Sequence, residues 1–406
     1  MQQVNGRYNV GGVLLERPFK IRRLGHFGLN LSDLTGAVEF YCKHLGFRLT
    51  DELDFRHTPK KDAVAGLKDP RLIFTTHGTD HHAFVLGSRE LGGVLFGPQA
   101  NPEVTINQIT WQVGTLEEVQ GAVEFYKGKG VPISRVGRDM PGSNWHVYVP
   151  DPDGHTIELY YGIEQIGWNG KSKPVSMYYR GFFEAPELPQ ISEATEIREA
   201  GDKGIDIFSG RQCLDMEPGS YDVGGILLPR PFKITRIGPV GLFVKDLEKS
   251  EAFYIDILGF VKTEEVTFRG RRCVFLRNGT EHHSLGLFPR ELRQELGLSA
   301  HTTCMSFGLE LGSYEQLRNA GRFLKDKGAK AISTIPPELY PGIDYAAHVL
   351  DPDGHCLQLY YYMEQIGWDG KPRSRGERRR VQEEWPELLD PLSDTYADQT
   401  FQGPLG

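Results

Sequence analysis

Four of the thirteen histidines in this chain of 406 residues stand as two adjacent pairs, His81-His82 and His282-His283. Each pair follows a Gly-Thr-acid turn, Gly78-Thr79-Asp80 or Gly279-Thr280-Glu281, and leads into a run with strand character. Neighbouring strand residues face opposite ways, so one histidine of each pair is expected to point into the space the sheet encloses. Imidazole titrates near neutral pH, which suits proton transfer there. A purely structural role for the pair competes with that reading. The five cysteines (Cys42, Cys213, Cys273, Cys304, Cys356) are odd in number, scattered and free of any C-x-x-C pair. They fit a reducing compartment, with neither a zinc knot nor a disulfide frame, and are expected to be inert.

The composition places these residues in a folded protein with enough apolar material for sizeable cores. Hydrophobic residues make up 39% and charged residues 25%, and the length suggests two or three domains. The net charge of −8 argues against nucleic acid as a partner. The basic run Arg373 to Arg380 is followed by Glu383, Glu384 and Glu387 and reads as a solvated face. No stretch approaches a membrane span, and Met1 to Asn5 begins no signal-peptide apolar region, so the expected location is cytoplasmic and no membrane partner is expected.

The elements that must position any chemistry come from an internal repeat. YNVGGVLLERPFKI (Tyr8 to Ile21) returns as YDVGGILLPRPFKI (Tyr221 to Ile234), 213 positions on. DPDGHTIELYYGIEQIGWNGK (Asp151 to Lys171) returns as DPDGHCLQLYYYMEQIGWDGK (Asp351 to Lys371), 200 positions on. The predicted division is residues 1–188, a polar linker 189–220, a second copy 221–388 and a polar tail 389–406. Each copy is itself double, since GAVEFY occurs at Gly36 and again at Gly121. The first unit reads as a strand (Leu24 to Leu31), a helix capped by Ser32 and Asp33 (Leu34 to His44), Gly46 as a stop, then strands over Phe47–Leu53, Leu72–Thr76 and His82–Leu86. The predicted class is α+β, with four βαβββ modules forming two paired half-barrel domains.

Four such modules resemble the vicinal oxygen chelate superfamily, and the two-domain layout resembles the type I extradiol ring-cleavage dioxygenases. The resemblance rests on LGHFGLNLSDLTGAVEFYCKHLGF (Leu24 to Phe47), FLRNGTEHHSLGL (Phe275 to Leu287) and YVPDPDGHTIELYY (Tyr148 to Tyr161). It implies a cup around a divalent metal, Fe(II) foremost and Mn(II) or another divalent ion as alternatives, with an aromatic substrate and dioxygen as partners. The implied ligands are His26 on the first strand and Glu158 on the last, ten residues after Tyr148. For the third ligand, aligning Asp33-Leu34 with Thr115-Leu116 sets Gln108 opposite His26, and aligning the GAVEFY helices sets Trp111 there. Gln108 is preferred because strand and loop then run together without a gap, and an amide oxygen can ligate a harder metal.

The same resemblance makes His82 the acid/base and Tyr148 a substrate contact, with His146 close enough to contribute. The histidine expected nine residues before Tyr148 is Asp139 here. The second copy has Pro239, Ser306 and Gln358 at the three ligand positions and His348 at that of Tyr148, so a metal site belongs to the first half alone. Trp111, Trp145, Tyr160 and Tyr161 are candidate pocket walls, and the two EQIGW motifs are read as packing or subunit contacts in a homo-oligomer. The leading expectation is an extradiol-type dioxygenase for a catechol-like substrate. The alternatives are a redox-neutral lyase or isomerase on the same scaffold, and a binding protein that has lost turnover.

Overall fold

A computed structural model of the chain describes residues 3–96, 104–138, 141–142, 145–177, 188, 192–366, 369–374, 376, 378 and 385–389. Asp139 and residues 390–406 of the predicted tail lie outside them. Among the described residues a small three-stranded sheet over residues 3–15 precedes the curled sheet of eight strands on which the N-terminal half is built: β1 (Arg23–Leu31), β2 (Arg48–Asp54), β3 (Arg71–Thr76), β4 (Phe84–Ser88), β5 (Ile106–Gln112), β6 (Arg135–Arg138), β7 (Trp145–Pro150) and β8 (Thr156–Tyr161). Their order is β2-β3-β4-β1-β5-β8-β7-β6, two modules joined where β1 meets β5. The C-terminal half repeats it with β9 (Ile234–Val244), β10 (Val261–Phe268), β11 (Arg271–Arg277), β12 (Leu285–Pro289), β13 (Cys304–Leu311), β14 (Lys330–Ile332), β15 (Ala346–Leu350) and β16 (Cys356–Tyr360), ordered β10-β11-β12-β9-β13-β16-β15-β14. The α+β class and the paired half-barrels match the expectation.

Local chemistry explains the first module. Asp33 accepts a hydrogen bond from the Gly36 amide and caps the helix Leu34–Val38, which continues as a π-helical stretch over Glu39–His44. Gly46 follows at φ +92°, a left-handed conformation that glycine adopts without penalty. Ser32, read as a partner cap, instead donates its amide to Asp353 of the other half.

Period-two alternation sorts the strand residues between two faces. Phe27, Leu29, Ile109, Trp111, Trp145, Val147, Ile157 and Leu159 point to the helix-covered side and join a core shared by both halves. Across it Phe27 stacks on Phe307 with centroids 4.3 Å apart, and Trp111 meets Phe260 edge-on at 4.9 Å.

The retained DPDGH loops clamp the two halves reciprocally. Asp151 accepts from the amide and Nδ1 of His155 and from the Tyr254 hydroxyl, each within 2.9 Å, and Asp351 does the same with His355 and Tyr41. Tyr41 and Tyr254 both sit on the π-helical stretches. The segment predicted as a linker carries a helix, Glu193–Asp202, whose Glu196 ion-pairs with Arg138 and Lys173 of the first half. The EQIGW motif works within the chain: Gln165 bridges to Asp80, and the Glu164 carbonyl accepts the His81 amide at 2.8 Å.

Candidate functional site

The concave face of the N-terminal sheet is polar. His26 on β1 lies opposite Thr110 on β5, and Glu158 on β8 lies opposite the same threonine. These registers bring the three side chains together: His26 Nε2 is 3.1 Å from Glu158 Oε2, and the Thr110 hydroxyl donates to that oxygen at 2.9 Å. His146 on β7 reaches the other carboxylate oxygen with Nδ1 at 3.6 Å, and its ring stacks on Tyr148 at 4.4 Å. His26, His146 and Glu158 are at most 1% exposed.

Burial alone would raise the Glu158 pKa. The neighbouring His26, with help from His146 and Thr110, outweighs it and holds the carboxyl below its usual range.

The histidine doublet lies just ahead of β4, and its two rings face different partners. His82 meets His26 edge-on at 4.4 Å, whereas His81 turns to Asp51 on β2, with Nε2 3.0 Å from the carboxylate. Burial, reinforced by His26 and His81, pushes the His82 pKa well below the usual value, so the ring is neutral at pH 7.

The remaining candidates divide between the two faces. Gln108 shares the concave face, opposite Gly28 and one ladder step from Thr110, and its side chain makes no hydrogen bond to His26 or Glu158 among the described residues. Tyr160 contributes a wall, its ring 5.2 Å from His26, and it overlies Gly25, where a Cβ would come within 2.5 Å of three of its atoms. Trp111 and Trp145 are not pocket walls: both belong to the shared core, and Tyr161 packs against it. Strand parity decides this, since odd positions of β5, β7 and β8 face the helices. Thr110 and Asp51 carry no motif in the sequence; only the strand pairing shows that they touch the site.

The donors present suit a divalent ion in part. His26 and Glu158 offer an imidazole and a carboxylate from neighbouring regions of the sheet, and His26 Nδ1 is buried without a partner among the described residues. No group of three His, Cys, Asp or Glu among the described residues is arranged to hold a metal. Gln108 and Thr110 are other side chains with an oxygen donor beside His26 and Glu158 on that face.

The C-terminal cup differs in kind. Phe243, Phe275, Phe288, Met305, Tyr340 and Met363 fill its concave face as a separate apolar cluster. Pro239 follows Gly238 through a cis peptide, and Gln358 donates to His348 at 3.1 Å. Burial lowers the His348 pKa to about 4.

Comparison with known proteins agrees with this architecture. Residues 23–159 and 236–359 match the Glyoxalase/Bleomycin resistance protein/Dioxygenase superfamily, and the chain belongs to that superfamily. It is 30% identical over 146 residues to metapyrocatechase 2 of Cupriavidus necator, covering 36% of this chain and 38% of that protein. It is 24% identical over 264 residues to catechol-2,3-dioxygenase of Bacillus subtilis (strain 168), covering 65% and 73%. The first match thus spans well under half of the relative's length. Among solved structures, the 2,3-dioxygenase LapB from Pseudomonas sp. KL28 aligns with a TM-score of 0.54 at 16% identity, covering 87% of this chain and 96% of that one. A Mn(II)-bound glyoxalase from Novosphingobium aromaticivorans aligns at 0.52 and 13%, covering 86% and 85%. At these identities the structural likeness speaks for the fold. No helix among the described residues is long and apolar enough to cross a membrane.

Proposed function

We propose that the chain is a divalent-metal-dependent oxygenase of the extradiol ring-cleavage type, acting on an aromatic substrate with two adjacent oxygens. One observation carries the reading: a buried imidazole–carboxylate pair, His26 and Glu158, lies on a polar concave face with the neutral His82 ring against it. The names of the two curated relatives point the same way. His26 and Glu158 would hold Fe(II) or Mn(II), with the Gln108 amide as the neutral third donor; the ion would supply a template for the vicinal oxygens and for dioxygen.

The chain's own residues do the rest. Neutral His82 accepts the proton of a substrate hydroxyl, and Tyr148, aligned by its stack on His146, hydrogen-bonds the substrate. Tyr160 closes one wall. The five unpaired cysteines support a cytoplasmic location.

The test is anaerobic reconstitution with Fe(II) or Mn(II), metal analysis, and oxygen uptake with a panel of catechols. Metal bound and oxygen consumed supports the proposal. Metal bound without oxygen consumption overturns it in favour of the redox-neutral lyase or isomerase.

A further inference from the structure

The doublet is tied to a third group, and with both rings neutral the order of its hydrogen bonds sets which nitrogen of His82 is free. Asp51 Oδ2 lies 3.0 Å from His81 Nε2, and His81 Nδ1 lies 3.0 Å from His82 Nδ1. A carboxylate is an acceptor, so His81 donates from Nε2 and, when neutral, keeps a lone pair on Nδ1. His82 must then donate from Nδ1, which leaves its Nε2 unprotonated.

The backbone holds both rings in place. The His81 amide donates to the Glu164 carbonyl, and the Glu164 amide donates to the Gly142 carbonyl. Gly142 sits at φ +87°, where a Cβ would come within 2.5 Å of His81 Nδ1 and 2.8 Å of His82 Nδ1.

From this geometry we infer that Asp51, acting through His81, is a positioning residue that sets the tautomer of His82 and so presents a basic Nε2 to the cup. The logic is that of a carboxylate orienting a catalytic imidazole, lengthened by one histidine. It deepens the proposed function and rests on the reading of His82 as base.

The C-terminal half supplies a contrast. Glu264, 213 positions after Asp51, holds His282 at 3.0 Å, and His282 meets His283 Nδ1 to Nδ1 at 3.1 Å. There Arg378 also donates to Glu264 and faces His282 Nε2 at 3.1 Å. The guanidinium, a donor only, competes with the His282 N–H for the carboxylate, so the single donor order of the first half is not imposed.

The experiment is a long-range proton–nitrogen NMR correlation on protein labelled with nitrogen-15 histidine at pH 7.5, with His82→Gln used only to assign the resonances. It is paired with kcat and KM for oxygen uptake in Asp51→Asn and Asp51→Glu. The expected result is an Nδ1–H, Nε2-free tautomer of His82 in the unsubstituted protein, lost in D51N and kept in D51E. The kcat of D51N should fall roughly 100-fold, the scale of a general-base contribution, at unchanged KM. An Nε2–H tautomer in the unsubstituted protein overturns the inference whether or not D51N folds, as does a D51N protein with unchanged tautomer and kcat. If the unsubstituted protein consumes no oxygen, the proposed function fails, and the tautomer measurement still decides the role of Asp51.

Discussion

Replacing Glu158 by Gln gives the first half the residue that already stands at Gln358 in the second. Folding should survive, because Gln358 occupies the same strand position and bonds to His348 across the ladder at 3.1 Å. What changes is charge. Glu158 is fully buried, and its carboxylate meets His26 at 3.1 Å, Thr110 at 2.9 Å and His146 at 3.6 Å. Loss of a charge-assisted hydrogen bond on this scale costs about 1.5–3 kcal/mol. For the metal the loss is larger, since one of two strong donors disappears. Even changes to residues that merely support ligands cost about 10–100-fold, so loss of the ligand should weaken binding by at least ~100-fold, or about 2.7 kcal/mol. Titration calorimetry with Mn(II) on the unsubstituted and E158Q proteins measures this directly, with urea unfolding to confirm that E158Q is folded. A folded E158Q protein whose Mn(II) affinity stays within about threefold would refute the assignment of Glu158 as a ligand.

Three further outcomes follow from the same contacts. Asp151→Asn removes the carboxylate of a buried pair with His155 and weakens its acceptance of the Tyr254 hydroxyl from the other half, and should cost about 3 kcal/mol in urea unfolding; a loss below about 0.5 kcal/mol would show that the clamp is not structural. Gly142→Ala should destabilise the protein and displace both rings of the doublet, since it combines a positive φ with a Cβ inside van der Waals contact; unchanged histidine resonances would contradict this. Burial lowers the pKa of His77 and His348 from 6.5 to about 4. The unfolded chain therefore takes up these protons first, so stability is complete above pH 6.5 and falls towards pH 4, by up to about 3 kcal/mol for each residue. The raised pKa of His155 works the other way, adding stability below 6.5 that fades as pH rises through its folded value. Urea midpoints of metal-free protein from pH 7.5 to 4.5 should decline, and a flat profile would count against buried neutral histidines.

Much of the architecture was legible in the chain because repeats fix equivalences that single motifs do not. The strand predicted over Leu24–Leu31 is found at Arg23–Leu31, and that over Leu72–Thr76 at Arg71–Thr76. The pairing of His26 with Glu158 could be anticipated only through family resemblance, because the residues are 132 positions apart and meet through Thr110 on an intervening strand. Strand parity decides which of the candidate aromatics reach the site: Trp111 and Trp145 fall on odd positions that face the core, and Tyr160 on an even one that faces the site. Asp51 left no trace in sequence, since its partner His81 is set by how the loop before β4 folds over β2. The retained DPDGH motif proved to serve the contact between halves, which explains why it persists where His26 and Glu158 do not.

On the proposed function one of two equivalent cups holds a metal, while the other is filled with apolar side chains. Metal stoichiometry after reconstitution with excess Mn(II) and removal of loosely held ion tests it most directly. One ion per chain, falling to none in E158Q and staying at one in Gln358→Ala, is the predicted result; two ions per chain, none, or one that survives E158Q would contradict it.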